Sequence, residues 1–291
     1  MARRIHTKIG CVNVVTHPHT PENYVNLFNR IFESRIDVSI GHQQRMIMGA
    51  LQPGVIEQQN ALTGFLYKFL DVGGDNAWYN IALNEEASDE DLREINIPRH
   101  LRPNLTKHRF VFFPDGHKLF IQVKGEHQND NVSMNQVEKY LQRVCSKEFI
   151  IEEFGEVFLT VIPNSEDVEQ MLASDAITAI SYEITLPNPD YDDEDQYVGW
   201  MESQGIYKEQ RALKAQRGGR VEPNSELKSL AITASRNGNL QVKEKDTNGI
   251  TVTKTSSSSP MIESVSFDPS VETATNTFWN KSLQLLRSLL T

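Results

Sequence analysis

The stretch FVFFPDGHKLFIQVKGEH, Phe110 to His127, decides between a catalytic centre and a hairpin. It sets two apolar runs on either side of Pro114-Asp115-Gly116 and continues into Gln122-Val123-Lys124. A turn-borne Asp followed by Gln-x-Lys on a strand is a layout with which metal-dependent nucleases hold a divalent cation, since a hard ion takes oxygen ligands. Gln122 and Lys124 are two apart and share a strand face. Asp115, however, lies seven residues from Gln122, which is over ~20 Å along an extended strand. Glu126, two past Lys124, would stand alone. Turn chemistry accounts for the same residues: proline presets φ, aspartate bonds its own backbone and glycine takes φ > 0. The stretch predicts a β-hairpin.

Downstream, Ser133 with Gln136 three residues on forms a capping box. Met134, Val137, Tyr140, Leu141, Val144 and Cys145 then fall on one helical face. EVFLTVI (156–162) reads as a strand, Ser165 with Glu166 and Asp167 opens a helix, and AITAISYEITL (176–186) is a strand again. Upstream, IGCVNVV (9–15) is a strand leading into THPHTPENYVNLFNRIF, where Thr20 is a good N-cap and Pro21 suits the first helical turn. Tyr24, Phe28 and Ile31, with Val25 and Phe32 beside them, form an apolar stripe at helical spacing. RMIMGAL (45–51) and LTGFLYKFL (62–70) are strand-like, and 84–104 is an acidic, proline-punctuated excursion.

A Pro/Asp-rich segment, 187–196, marks the expected boundary between an N-terminal α+β domain (1–186) and a C-terminal domain (187–291). Beyond it, DQYVGWMESQGIYKEQRALKAQ (195–216) reads as a short helix. LKSLAITASRNGNLQVKEKDTNGITVTKT (227–255) reads as a three-stranded meander turning at Asn237-Gly238 and Asn248-Gly249, both suited to two-residue hairpins. Ile232, Leu240, Val242, Ile250 and Val252 are available to its one face, TSSSSP (255–260) is a loop, and a terminal helix follows. The expected fold class is α+β: two mixed or antiparallel sheets with flanking helices and a C-terminal amphipathic helix. That helix carries two adjoining stripes, one of Phe278, Leu285 and Leu289, the other of Trp279, Leu283, Leu286 and Leu290. The second stripe serves either the chain's own core or a homo-oligomer interface.

Composition narrows the function classes. Apolar content of 38% in 291 residues fits a folded protein, and no apolar run reaches the ~18 residues of a membrane span. The N-terminus lacks an uninterrupted apolar core, so a cytoplasmic location is expected. Cys11 and Cys145 provide neither a disulfide framework nor a cysteine zinc site. A net charge of −10 excludes indiscriminate coating of nucleic acid, but not a local basic face. One is on offer in YKEQRALKAQRGGR, where Lys208, Arg211, Lys214, Arg217 and Arg220 meet a single acid, Glu209. The spacing of Arg211, Lys214 and Arg217 places them together on a helical surface. Alternatively, the run offsets the acidic block Asp190, Asp192, Asp193, Glu194 and Asp195 as solvated surface.

Other chemistry is thin. His17 and His19 are two apart in a strand-to-helix corner, but spacing attaches no third metal ligand. No G-x-S-x-G occurs, and Gly73-Gly74 and Gly218-Gly219 are isolated pairs and not a phosphate loop. Cys145 lies on the buried stripe of its helix, as a core residue. No cofactor or metal is expected.

The ordered segments NVVTHPHTPENY (13–24), GFLYKFL (64–70), WYNI (78–81), INIPRHLRPNL (95–105) and HRFVFFPDGHKLFI (108–121) together resemble the bacterial DUF4747 family, a domain of unknown function. The likeness covers residue 8 to about 190. It implies an uncharacterised cytosolic protein of a type associated with mobile islands that defend bacteria against phage. The expected function is a non-catalytic sensor or scaffold subunit of such a system, binding another subunit, nucleic acid, or both. A metal-dependent nuclease using Lys124 and a plain protein-interaction subunit are the alternatives.

Overall fold

Phe110–Phe113 and Lys118–Ile121 pair antiparallel, with Phe113 opposite Lys118, as the hairpin expectation requires. The turn differs in detail. The Gly116 N–H donates to the Phe113 carbonyl at 3.2 Å, and the left-handed residue is His117, φ 53°, not Gly116. Gly116 lies under the end of the C-terminal helix: a Cβ there would come 2.7 Å from Leu286 Cδ1, which would have to shift.

The computed structural model describes residues 4–72, 77–95, 97–98, 100–125, 130–186 and 195–290. Its first elements are β1 (Ile5–Val15), α1 (Pro21–Ser34), β2 (Val38–Gly41), β3 (Gln44–Ile56), β4 (Gln59–Leu70), β5 (Tyr79–Asn80), β6 (Glu85–Glu86) and α2 (Asp89–Glu94). The hairpin strands β7 (Thr106–Phe113) and β8 (Lys118–Lys124) precede α3 (Met134–Cys145), α4 (Glu148–Phe154), β9 (Phe158–Val161), α5 (Ser165–Ala173) and β10 (Ile177–Thr185). The remainder holds α6 (Asp195–Ser203), β11 (Lys208–Lys214), α7 (Ser225–Arg236), β12 (Gly238–Lys245), β13 (Thr251–Thr255), β14 (Ile262–Phe267) and α8 (Ala274–Leu289). The class is α+β. Among the described residues, no helix is long and apolar enough to cross a membrane.

The large sheet runs β14-β1-β8-β7-β4-β3-β2, with β9 also on β1, and curls into a half-barrel. β1 anchors it by pairing with β14, β8 and β9 in turn along its length. One face carries α1 and α3. Thr20 Oγ1 accepts the Asn23 N–H at 3.2 Å and starts α1, which buries Tyr24, Leu27, Phe28 and Ile31. Phe28 stacks on Phe112 with ring centroids 4.2 Å apart. The Ser133–Gln136 capping box starts α3, and its six stripe residues are buried as their spacing predicts. The opposite face takes α8, where Phe278, Leu283 and Leu286 meet Ile9, Cys11, Val111, Phe113 and Phe120. Each such side chain withdrawn from water contributes about 1.5–3 kcal/mol.

The small sheet runs β11-β10-β12-β13. Ile180, Tyr182 and Ile184 of β10, with Leu240 and Val242 of β12, face α5 and α7 through Val168, Met171, Leu172, Ala231 and Ala234. Among the described residues, no helix packs on the other face.

Several features differ from the expectations. Segment 187–194 lies outside the described residues, but the sheets do not divide there: β10 precedes it at the centre of the small sheet, while β14 and α8 follow it and complete the large one. Residues 208–214 are a strand, because seven register pairs with β10 override a helix-forming composition. Residues 225–236 are a helix, capped by Asn224 Oδ1 accepting the Leu227 N–H at 2.8 Å. Asn237-Gly238 is therefore no hairpin. Gly238 is required because a Cβ would sit 2.1 Å from the Glu183 carbonyl oxygen. Asn248-Gly249 does turn a hairpin, through a three-residue loop closed by Gly249 N–H on the Asp246 carbonyl, with Gly249 at φ 77°. Ile250 and Val252 are exposed there, not packed. Finally, β14 adds a strand after the 255–260 loop, with Ile5–Gly10 as its partner.

Candidate nucleic-acid interface

β11 is the edge of the small sheet, so its alternate side chains go to opposite sides. Lys208, Gln210, Ala212 and Lys214 lie on the open face; Glu209, Arg211 and Leu213 lie on the face that carries α7. Lys208 is engaged, with its Nζ 2.6 Å from Glu183 Oε1. Arg211 joins Tyr182, whose hydroxyl raises the guanidinium pKa by hydrogen bonding, and Glu209 and Glu226 are nearby. Glu209 also accepts from the Tyr197 and Tyr182 hydroxyls. Arg211 and Lys214, expected with Arg217 on one helical surface, thus lie on opposite faces of the strand.

Three of them come together. Past Lys214 the chain turns at Gln216–Gly219, closed by the Gly219 N–H on the Gln216 carbonyl at 2.9 Å. Gly218 holds φ 77°, where an L side chain would be strained. This turn swings Arg217 and Arg220 back beside Lys214, around a groove of about 630 Å³. Lys245, from the end of β12, closes its far side, and Asp175 is the one acid in the lining. Arg220 Nε is 2.7 Å from Glu222 Oε1, an exposed pair of little energetic weight. Lys214, Arg217 and Lys245 make no ion pair with another described residue. Lys243, two residues before Lys245 on the same face of β12, extends the cationic rim. Lys243 and Lys245 escaped the sequence reading, although their alternation with buried Leu240 and Val242 points them to the open face.

The groove lies inside the stretch of chain that matches a known family. A family model described as Domain of unknown function (DUF4747) matches residues 5–282, taking in both sheets. The chain belongs to the DUF4747 family. The match extends well beyond the segments that carry the resemblance, through β11, the groove and most of α8. No curated protein matches the chain.

Two segments that carry the family likeness meet in space. The His19 ring lies 4.0 Å from that of His117, and Tyr24 is 4.9 Å from His117 between centroids. The Tyr24 hydroxyl accepts the Thr16 N–H at 3.3 Å and lies 2.9 Å from His19 Nδ1. Burial, aided by His17 and Lys118, lowers the His19 pKa to about 4. Burial, with His19 and Lys118, lowers that of His117 to about 2. Lys118 itself is 1% exposed, donating to Asn13 Oδ1 at 3.1 Å, and Asn13 donates to Asn237 Oδ1 at 3.1 Å. In this DUF4747 chain the histidines are neutral parts of a buried polar knot that ties the large sheet to the end of α7. His17 is exposed, and among the described residues no three His, Cys, Asp or Glu side chains are grouped to hold a metal.

The hairpin residues are structural as well. Gln122 is 1% exposed; its amide donates to Thr7 Oγ1 at 3.0 Å, and its oxygen accepts from Arg109 at 3.1 Å. Asp115 is exposed at the turn, and Lys124 ends β8 half-buried. Glu126 lies outside the described residues, as do the acids 190–194. Burial pushes the Cys145 thiol up to about 12, which suppresses the thiolate. Of the expected docking stripe, Leu283 and Leu286 are buried in the chain's own core. Trp279 is half-buried and Leu290 is 38% exposed.

Proposed function

We propose that the protein is a non-catalytic recognition subunit of a cytoplasmic bacterial anti-phage system, and that it binds nucleic acid in the groove between the Gln216–Gly219 turn and the end of β12. One observation carries the binding: Lys214, Arg217, Arg220 and Lys245 surround a single groove whose lining contains one acid. Lys214, Arg217 and Lys245, which make no ion pair among the described residues, are ready to displace the counterions of a phosphate backbone. The net charge of −10 supports a confined contact, since an acidic chain as a whole disfavours a polyanion and binding needs a local cluster of cations. The defence role rests on the type of protein that the family likeness suggests. The direct test is fluorescence anisotropy of a labelled duplex with the wild type and a Lys214→Ala, Arg217→Ala, Lys245→Ala variant. Binding by the wild type that is lost in the folded variant supports the proposal; no binding by the wild type at low salt refutes it.

A further inference from the structure

We infer that the groove and the open sheet face beside it hold the sugar–phosphate backbone of a double helix, and not the unstacked bases of a single strand; this rests on the reading of the groove as a nucleic-acid interface. Single-strand sites pair a basic track with aromatic platforms, each stacked base being worth about 1–3 kcal/mol. Among the described residues, the open face has no such platform. Every open-face position of β10, β11, β12 and β13 is described, and none is aromatic. The ring of Tyr182 is on the opposite face, packed with α7. Tyr207 is exposed, but it precedes Lys208 at the far end of β11 and packs on Phe158 with centroids 6.5 Å apart.

What the face does offer is a flat floor with a charged edge. Ala179, Ser181 and Ala212 form the floor, small enough to let a broad ligand approach the sheet. Lys214 and Lys243 are both register partners of Ala179, which sets their Cα atoms about 10 Å apart across two strand spacings. A duplex presents one charge per ~1.7 Å of axis against ~3.4 Å for one strand, so a fixed cluster of cations meets twice the charge density. Hydroxyls suited to phosphate oxygens lie alongside, at Thr251 and Thr253 of β13. Gln210, the open-face amide of β11, already donates to Glu183 at 2.5 Å, which leaves Asn239 and Gln241 of β12 as the amides beside the cations. Phosphate contacts, which carry no sequence information, dominate the binding.

The test compares one labelled DNA duplex of about two helical turns, each of its strands alone, a thymidine homopolymer of equal length and a duplex of scrambled sequence, by anisotropy at low salt. The expected result is about ten-fold or greater preference for both duplexes over every single strand. Lys243→Ala, outside the groove lining, should weaken both duplexes alike. A homopolymer bound as tightly as the duplex would overturn the inference while leaving the nucleic-acid reading intact. If none of the probes binds, the nucleic-acid reading itself fails, and this inference with it.

Discussion

Lys214 and Lys243 stand opposite the same residue: each is the register partner of Ala179, one from β11 and one from β12. Strand pairing alone brings them together from distant positions in the chain. Alternation then decides which neighbours join them, so Lys208 and Lys214 share a side while Arg211 is turned away. The surface charge of the small sheet is set by register and not by the linear basic run.

That register predicts an unequal effect of charge removal. Lys214→Ala with Lys245→Ala should weaken nucleic-acid binding about ten-fold or more at low salt, because both contacts lie in the groove. Arg211→Ala should change affinity less than about two-fold, since its guanidinium sits with Tyr182 and Glu226 on the other face. Anisotropy titration of the two variants checks this. Equal losses would mean that the linear run, not the groove, makes the contact.

The buried Lys118 yields a stability prediction. Asn13→Ala removes the acceptor of a buried ammonium and should cost about 3 kcal/mol, because a charged donor is left short of a partner. Lys118→Met should cost less, since it removes the buried amine itself and leaves the Asn13 amide oxygen, a neutral acceptor, short of a donor. Urea denaturation at neutral pH measures both. A Lys118→Met variant less stable than Asn13→Ala would contradict the account of this network.

Much of the large sheet is legible in the sequence because local and tertiary preferences agree there. Thr20-Pro21, Ser133 with Gln136, and Pro114-Asp115-Gly116 each name a boundary that packing then uses. The small sheet is where they disagree. KEQRALK has the composition of a helix and becomes β11 because β10 offers an unpaired edge. LKSLAITASR looks strand-like through Leu230 and Ile232, yet it is helical, with Ala231 and Ala234 giving α7 a close approach to the sheet. Asn224, its cap, was the available signal. The candidate site follows the same division: Lys214, Arg217 and Arg220 are visible as a run, whereas Lys245 joins them only through the fold.

Acid should destabilise the protein before its carboxylates are the main cause. Burial holds His108 near 4 and His117 near 2, both below the ordinary value of 6.5. The unfolded chain therefore binds more protons than the folded one once the pH drops below about 6.5. Their contribution is complete above that pH and is lost progressively as pH falls toward the folded values. Each histidine adds a slope of up to about 1.4 kcal/mol per pH unit. Urea midpoints at pH 7, 6 and 5 should fall in order, and less steeply in His108→Gln. Constant midpoints over that range would contradict the burial of these rings.

The terminal helix should behave as core at one position and as surface four residues later. Leu286→Ala should destabilise by about 2–5 kcal/mol, since Leu286 is buried over the Gly116 turn. Leu290→Glu should stay within about 0.5 kcal/mol, because that side chain is 38% exposed. Thermal denaturation separates them. Comparable losses at both positions would show that the helix end is covered by something beyond this chain, such as a second copy.

The salt dependence of duplex binding tests the central claim most directly. Groove binding by counterion release makes log K fall linearly with log salt, with a slope of about −0.9 per phosphate contact. The measurement is that slope for the wild type and for the Lys214→Ala, Arg217→Ala, Lys245→Ala variant, on duplexes of two unrelated sequences. The account predicts a slope shallower by about 2.7 in the variant, roughly 0.9 for each of three lost contacts, and the same change for both sequences. An unchanged slope, or a wild type whose affinity is insensitive to salt, would contradict it.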